Sequence, residues 1–276
     1  MQEPSSVEST PIAISSEALP VTAPGSNRIH FMGCDIDSMT REDTLRQVLA
    51  WCQEEGAPPR TLITLNAALL MMMKSNPELA QACNAGDIIV ADGMPIVWST
   101  RLLGTPLVDR VAGVDLMQKL LEEGSQQGIS VYFLGAKQEV IDTLLAICKE
   151  RYPGLKIAGA RNGYFGESEY ETVIAEIAAS KPDILFIGMP TPFKELWGEK
   201  HREALGAKVI FGVGGSFDVI GGYVQRAPLW MQNIGMEWFW RLMMEPRKMW
   251  KRYLVTNSQF LLTLAGELIS KRLLRR

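Results

Sequence analysis

Residues 61–95, which read TLITLNAALLMMMKSNPELAQACNAGDIIVADGMP, decide the fold class of this chain. Two short apolar runs, residues 61–65 and 87–91, have the composition of buried parallel strands, and a helical stretch joins them into a β-α-β unit. In open α/β sheets, ligands bind beyond the carboxyl ends of the strands. Thr64, Asn66 and Asp92 are therefore predicted to project into one crevice.

Asp92 is the strongest candidate for chemistry, because it is a carboxylate at the end of a buried strand. An alternative stays open, since Asp before Gly-Met-Pro-Ile also suits the N-cap of a helix. The local sequence does not decide between the two roles.

The net charge of −3 is unevenly placed along the 276 residues. From Arg226 to the end there are 10 Lys/Arg against 3 Asp/Glu, whereas residues 1–225 carry 18 against 28. A basic end on an acidic body indicates an anionic partner, either membrane phosphates or nucleic acid. The acidic body, and the lack of a recognised nucleic-acid-binding module before the basic end, favour the membrane.

The four cysteines, Cys34, Cys52, Cys83 and Cys148, form no CxxC pair and lie in apolar segments. They are predicted to be reduced core thiols of a cytoplasmic protein. With only two histidines, neither a His-rich metal site nor a Ser-His-Asp relay is expected. The pair Asp35 and Asp37 is interpreted as turn-forming rather than metal-binding. Neither a metal nor a cofactor is predicted.

The rest of the chain alternates strands and helices. Strands are predicted at 28–34, 129–134, 155–160, 183–187 and 208–213, and helices at 40–55, 95–103, 113–127, 137–151, 168–180 and 193–205. This order is typical of an α/β, Rossmann-like, doubly wound and mostly parallel sheet flanked by helices. Residues 1–27, rich in Ser, Pro, Thr and Ala, are interpreted as a disordered tail, 28–225 as the α/β core and 226–276 as a helical appendage.

Glycines follow three of these strands, at Gly135, Gly188 and Gly214-Gly215. A glycine lets backbone approach a phosphate closely, and the helix that follows offers free N–H groups. Together the glycines outline a nucleotide or sugar-phosphate site, although any one of them also suits a tight turn. Arg110, in the connection 107–111, is suited to hold phosphate or carboxylate, and an ion pair with Asp109 or a neighbour is the alternative.

Four of the seven tryptophans, Trp230, Trp238, Trp240 and Trp250, lie among Lys and Arg in two helical stretches, 228–245 and 247–276. This composition is typical of an interfacial membrane segment. The longest charge-free stretch, residues 253–266, is too short to span a bilayer, which needs roughly 20 apolar residues. A helix pair packed on the core with solvated charges is the alternative.

The sequence resembles the WecG/TagA/CpsF family of bacterial glycosyltransferases from about Arg28 to Arg252. The marks of the resemblance are Thr64-x-Asn66, Ala91-Asp92-Gly93, Arg110-x-x-Gly113, Gly212-Val-Gly-Gly-x-Phe-Asp218, Arg226-Ala-Pro228, the run from Glu237 to Leu242, Glu245-Pro-Arg and Trp250-Lys-Arg-Tyr. Each mark alone is weak, and together they are specific.

The resemblance implies transfer of a sugar from a UDP donor to a sugar on an undecaprenyl diphosphate lipid, with inversion and without a metal. It implies that Asp92 is the general base, that Thr64 and Asn66 line its pocket, and that Arg110 binds donor or phosphate. The glycine-rich loop, with Gly214, Gly215 and Asp218, would face the nucleotide. Residues 228–276 would dock on the cytoplasmic face of the inner membrane as a peripheral segment, with the lipid diphosphate bound by Arg241, Lys248 and Lys251.

Lys194 departs from the family, which normally carries Pro-Lys-Gln-Glu where this chain has Pro192-Phe193-Lys194-Glu195. A cation thus replaces a neutral amide, and could pair with the diphosphate or with a carboxylate on the donor. The donor therefore stays open between N-acetylmannosamine, glucose and a uronic acid. A non-catalytic nucleotide-binding scaffold docked at the membrane is the alternative function, and a homo-oligomer is left open.

Overall fold

The computed structural model describes residue 25 and residues 27–274 except residue 245, without the side chains of residues 233, 248, 249, 251–253 and 274. Most of the predicted N-terminal tail therefore lies outside the described residues. So do the side chains of Lys248 and Lys251.

A six-stranded parallel sheet forms the centre of the molecule, with the strand order β4-β3-β8-β7-β5-β6. Its strands are β3 (Arg60–Leu65), β4 (Ile88–Ala91), β5 (Ser130–Gly135), β6 (Lys156–Arg161), β7 (Ile184–Gly188) and β8 (Val209–Gly212). The sequence-based prediction of a doubly wound, mostly parallel α/β sheet is confirmed, with strand ends that shift by at most one residue.

Helices cover both faces of this sheet. They are α1 (Arg41–Gln53), α2 (Ala67–Ser75), α3 (Pro77–Asn84), α4 (Met94–Leu102), α5 (Gly113–Gln127), α6 (Gln138–Arg151), α7 (Tyr170–Ser180), α8 (Phe193–Lys200), α9 (Ser216–Ile220), α10 (Leu229–Asn233), α11 (Glu237–Met244) and α12 (Pro246–Leu274). A 3₁₀ turn, Glu167–Glu169, precedes α7.

Alternate residues of the strands feed two apolar layers. Leu62, Val131 and Phe186 pack under α1, α5 and α6 on one face. Ile63 and Leu65 pack with α2, α3, α4 and α12 on the other face, while Leu134 and Ile187 pack with α7 and α8. This alternation is the two-residue period of a strand that is buried on both sides.

Local capping chemistry sets several helix starts. Thr40 accepts a hydrogen bond from the backbone N–H of Asp43 at the start of α1, as its sequence predicts. Asn76 accepts one from Leu79 N–H, and Pro77 follows at the first helical position. The helical stretch predicted between β3 and β4 therefore consists of two helices, because Asn76-Pro77 ends α2 and begins α3.

The strand predicted at 28–34 is wrong, since this segment forms an antiparallel hairpin of β1 (Arg28–Phe31) and β2 (Cys34–Asp37). Met32 (φ 50°) and Gly33 (φ 89°) make its two-residue turn. The interpretation of Asp37 as a turn residue is also wrong. Its buried carboxylate accepts from the Arg28 guanidinium at 3.0 Å and from Ile89 N–H at 2.8 Å, which ties the hairpin to β4.

The helices predicted at 193–205 and 228–245 are shorter than expected. The first ends at Lys200, and the second is broken between α10 and α11 at Gly235, which has φ 66°. A Cβ on Gly235 would lie 2.6 Å from Met94 Cβ and 2.7 Å from Trp98, so the corner packs directly on α4. The break therefore brings α11 to the carboxyl edge of the sheet.

The last helix, α12, packs along α2 through one face. Phe260 is buried in the apolar layer beneath α2, and Leu264 and Leu268 are partly buried against it. Among the described helices, none combines the length and the apolarity that a bilayer crossing needs.

Candidate active site

The carboxyl edge of the sheet gathers most of the residues that the sequence singled out. Asp92 follows β4, Asn66 follows β3, and the loop of Gly214 and Gly215 follows β8. Gly135 and Gly188 end the adjacent strands β5 and β7 and are opposite each other in register. The residues predicted to share a crevice thus follow neighbouring strands at one edge of the sheet.

The Asp92 side chain is held by the start of α5, and not by α4, which is the helix that directly follows its strand. Its Oδ1 accepts a hydrogen bond at 3.1 Å from the N–H of Gly113, the first residue of α5. Gly93, and not Asp92, is the N-cap of α4, and no side chain caps that helix. The alternative role of Asp92 as the cap of the next helix is therefore wrong. The residue remains partly open to solvent.

Burial raises the pKa of the Asp92 carboxyl from 3.8 to about 7. The Gly113 hydrogen bond lowers this pKa, the negative charge of Glu237 raises it, and the positive charges of Arg110 and Lys194 lower it. A carboxyl with such a pKa exchanges a proton readily near neutral pH, which is what a general acid or base requires.

Thr64 and Asn66 flank Asp92 as the sequence predicted. Thr64 is buried, and a Cβ on Gly113 would lie 3.3 Å from its Oγ1, so the hydroxyl faces the same helix start that holds Asp92. Asn66 lies beside the Asp92-Gly93 turn, and its Oδ1 caps α2 through Leu69 N–H at 3.0 Å. Asn66 therefore has a structural role as well as its place in the crevice.

Arg110 faces α11. Its Nη1 donates to Glu237 Oε2 at 3.3 Å, while Asp109 accepts from the backbone N–H groups of Arg110 and Arg41. The other carboxylate oxygen of Glu237 accepts from Arg226 Nε at 3.3 Å. Arg226 in turn makes a two-pronged pair with Asp115 in α5, with Nη2–Oδ2 at 2.9 Å. Two arginines and two acids thus connect the start of α5 to α11.

Lys194 lies over the glycine-rich loop. A Cβ on Gly212 would lie 3.3 Å from its Nζ, and one on Gly214 would lie 3.7 Å from its Cε. The ammonium pairs with Glu195, which also accepts from Thr191 Oγ1 at 3.0 Å. Glu195 is buried and its Oε2 has no partner among the described residues. The charge of Lys194 is therefore already balanced within α8.

Arg241 joins the same loop from the opposite side, since a Cβ on Gly215 would lie 2.8 Å from its Nη2. The structure thus brings a residue expected at the lipid diphosphate to the loop expected at the nucleotide. Asp218 lies in the first turn of α9, and its carbonyl accepts from Tyr223 N–H at 2.9 Å. Lys248 and Lys251 have no described side chains.

Glu237, Arg226, Asp115 and Glu195 are residues of this edge to which the sequence analysis gave no role. Glu237 and Arg226 lie within motifs that carried the family resemblance, but Glu237 pairs with Arg110 across 127 positions and Arg226 with Asp115 across 111, which sequence spacing does not reveal. Within the described part of the chain, His, Cys, Asp and Glu do not gather in groups of three or more that could hold a metal ion.

The fold and this edge define an α/β protein that places an acid with a raised pKa and a glycine-rich loop with cationic side chains at the same edge of its sheet. A family model described as the glycosyl transferase WecG/TagA/CpsF family matches residues 29–273. The chain belongs to this family, and the match includes α12 beyond the region where the sequence motifs were recognised.

Three curated proteins illustrate the relationship, and each is named N-acetylglucosaminyldiphosphoundecaprenol N-acetyl-beta-D-mannosaminyltransferase. The protein of Bacillus spizizenii is 35% identical over 202 residues, covering 73% of this chain and 76% of the relative. That of Bacillus subtilis strain 168 is 34% identical over 203 residues, covering 70% and 78%. That of Staphylococcus aureus strain MW2 is 29% identical over 225 residues, covering 82% and 86%.

Proposed function

We propose that this protein transfers a sugar from a UDP donor to a sugar carried on undecaprenyl diphosphate, with Asp92 as general base. The observation that carries the proposal is the raised pKa of Asp92 at the carboxyl edge of the sheet, where the charges of Arg110 and Lys194 act on it and Arg241 lies against Gly215. The names of the relatives, which specify a diphosphoundecaprenol-linked N-acetylglucosamine, support the lipid acceptor.

In the proposed reaction the acceptor hydroxyl oxygen attacks the anomeric carbon of the donor, and its proton passes to the Asp92 carboxylate. The new carbon–oxygen bond forms as the bond to the diphosphate breaks, and UDP leaves with the electron pair. Attack from the face opposite the leaving group inverts the configuration. The developing charge on UDP needs a positive partner, and Arg241, whose guanidinium lies against Gly215, supplies it without a metal.

The donor is proposed to be a neutral N-acetylhexosamine rather than a uronic acid. Two observations support this. The positive charge of Lys194 is paired with Glu195 and is therefore not available to a donor carboxylate. The relatives are named as N-acetylmannosaminyltransferases. A screen of UDP-N-acetylmannosamine, UDP-glucose and UDP-glucuronate, with product detection by mass spectrometry, tests the choice.

Membrane docking through α10 to α12 is part of the proposal, on the cytoplasmic side where nucleotide sugars are available. Exposed apolar side chains concentrate there, among them Leu229, Trp230, Trp250, Leu261 and Leu262. Basic residues accompany them. Such a surface suits a peripheral attachment to anionic lipid.

Asp92→Asn is the direct test of the base. General base catalysis contributes typically 10²- to 10⁴-fold, so kcat should fall by about that factor while UDP binding persists. Retention of more than about a tenth of the wild-type kcat in a folded variant would remove Asp92 from this role. The alternative of a non-catalytic scaffold predicts that the wild-type protein binds UDP but releases none from a UDP-sugar in the presence of lipid acceptor.

A further inference from the structure

The appendage meets the core through an ion-pair bridge centred on Glu237, the first residue of α11. One carboxylate oxygen of Glu237 lies 3.3 Å from Arg110 Nη1, and the other lies 3.3 Å from Arg226 Nε. Both arginines are mostly buried, with 17% and 20% of their side chains exposed. Arg226 is itself anchored to Asp115 in α5. Glu237 is therefore the point at which α11 is fixed to the start of α5.

The same helix carries Arg241 one turn later. Residues four apart lie on one face of a helix, so the side of α11 that bears Glu237 also bears Arg241. That face is turned toward the sheet edge, because the Arg241 guanidinium lies against Gly215 in the loop after β8. Trp240 Nε1 also donates to the carbonyl of Gln225 at 3.1 Å, which holds α11 against the chain segment that contains Arg226.

We infer that Glu237 is a positioning residue, which bridges Arg110 and Arg226 and thereby places Arg241 on the glycine-rich loop to bind the diphosphate of the nucleotide. This inference rests on the proposed function, because it assigns that loop to UDP. Glu237 itself touches no substrate in this role. It fixes the orientation of α11, and Arg241 makes the contact.

A double-mutant cycle on UDP affinity tests the inference, with dissociation constants measured by calorimetry on the full chain. Arg241→Ala should weaken UDP binding about tenfold, which corresponds to one charge-assisted contact. Glu237→Gln should weaken it by a similar factor. Because Glu237 acts through Arg241, the double variant should bind UDP no more weakly than Arg241→Ala alone.

Glu267→Gln is the matched control, since it makes the same chemical change in α12 at a carboxylate that contacts neither Arg110 nor Arg226. Its UDP affinity should equal that of the wild type. Three outcomes would each overturn the inference. The losses of UDP affinity could multiply in the double variant, Glu237→Gln could bind UDP more tightly than the wild type, or Glu237→Gln and Glu267→Gln could have the same UDP affinity.

If circular dichroism shows that Glu237→Gln does not fold, a second variant at the same position replaces it in the cycle. Glu237→Asp keeps the charge but is one methylene shorter, so it cannot reach both arginines, and it should show the same non-additivity with Arg241→Ala. If the wild-type protein binds no UDP, the proposed function fails. If it binds UDP and the cycle is additive, only the role of Glu237 fails.

Discussion

At the scale of single residues, Asp92 is held between two opposing influences. Burial favours its neutral form, while the N–H of Gly113 at the start of α5 favours the carboxylate. Burial is the larger influence, and the pKa rises to about 7. The ionised form therefore destabilises the folded protein, as expected of a group retained for chemistry rather than for stability.

Asp92→Asn should consequently stabilise the protein in a pH-dependent way. The pKa is higher in the folded protein than in the unfolded chain, so the folded state binds more protons and its stability falls as pH rises from about 4 to about 7. The uncharged Asn escapes this loss. The free energy of unfolding of Asp92→Asn, measured with urea, should match the wild type at pH 4 and exceed it by about 4 kcal/mol at pH 8.

Asp142→Asn is the control for that measurement, because Asp142 is an exposed carboxylate of α6 that pairs only with Gln138. Its difference from the wild type should not grow between pH 4 and pH 8. A stability of Asp92→Asn that drops relative to the wild type as pH rises would show that the ionised carboxylate is favoured by the fold.

Two substitutions of Asn66 separate its effect on stability, as the cap of α2, from its effect on activity, as a neighbour of Asp92. Asn66→Ala removes the cap of α2 and should lower the free energy of unfolding by about 1 kcal/mol. Asn66→Asp keeps a capping oxygen, so it should unfold like the wild type. It adds a negative charge beside Asp92, however, and should lower kcat at least about tenfold at pH 7. Urea unfolding and initial rates of UDP release distinguish the two effects.

Sequence reasoning could predict that Asp92, Thr64 and Asn66 lie together, because each lies near or directly after the end of a strand, and strand ends of a parallel sheet meet at one edge. The same reasoning could not find Glu237. Its partners Arg110 and Arg226 come from a connection before α5 and from a loop before α10. The contact of Glu237 with these arginines depends on the angle between α10 and α11 at Gly235, and this angle is set by packing on α4.

At the scale of secondary structure, the contact between β5 and β7 leaves no room for a side chain at their ends. A Cβ on Gly135 would lie 2.5 Å from the carbonyl carbon of Gly188, and Gly135 has φ 131°, which side chains disfavour. Gly135→Ala should therefore lower the free energy of unfolding by about 3 kcal/mol, measured with urea. The matched exchange Gly266→Ala meets nothing within 4 Å in the middle of α12. It should raise stability by about 0.5–1 kcal/mol, and equal losses at the two positions would contradict the packing argument.

Elements with local signals were predictable, and those that depend on distant partners were not. The bounds of α5 agree with the predicted helix, because its apolar periodicity ends at Gly128, a left-handed C-cap. The β1–β2 hairpin was missed, since Met32 and Gly33 are not one of the common turn pairs. The hairpin is fixed to β4 by the hydrogen bond that Asp37 accepts from the N–H of Ile89, a contact that spans 52 positions.

At the scale of the whole molecule, charge and apolar exposure are segregated. The acidic body ends where the basic segment from Arg226 begins. Within that segment α12 buries Phe260 and exposes Leu261 and Leu262, at 63% and 75%. The inner face of α12 packs on α2 and its outer apolar face is exposed, which is the arrangement that the proposed docking on anionic lipid requires.

Leu262→Asp should therefore abolish most binding to vesicles that contain anionic phospholipid, measured by co-flotation, without changing the thermal unfolding temperature. The reason is that the substitution puts a charge where an apolar side chain would enter the interface. Gln259→Asp is the matched control, because it adds the same charge at an exposed position of α12 and removes no apolar group. It should weaken flotation only at low salt, where charge repulsion by the headgroups is unscreened. Equal and salt-sensitive losses in both variants would mean that α12 binds lipid by charge alone, and wild-type protein that stays with the soluble fraction would refute membrane docking altogether.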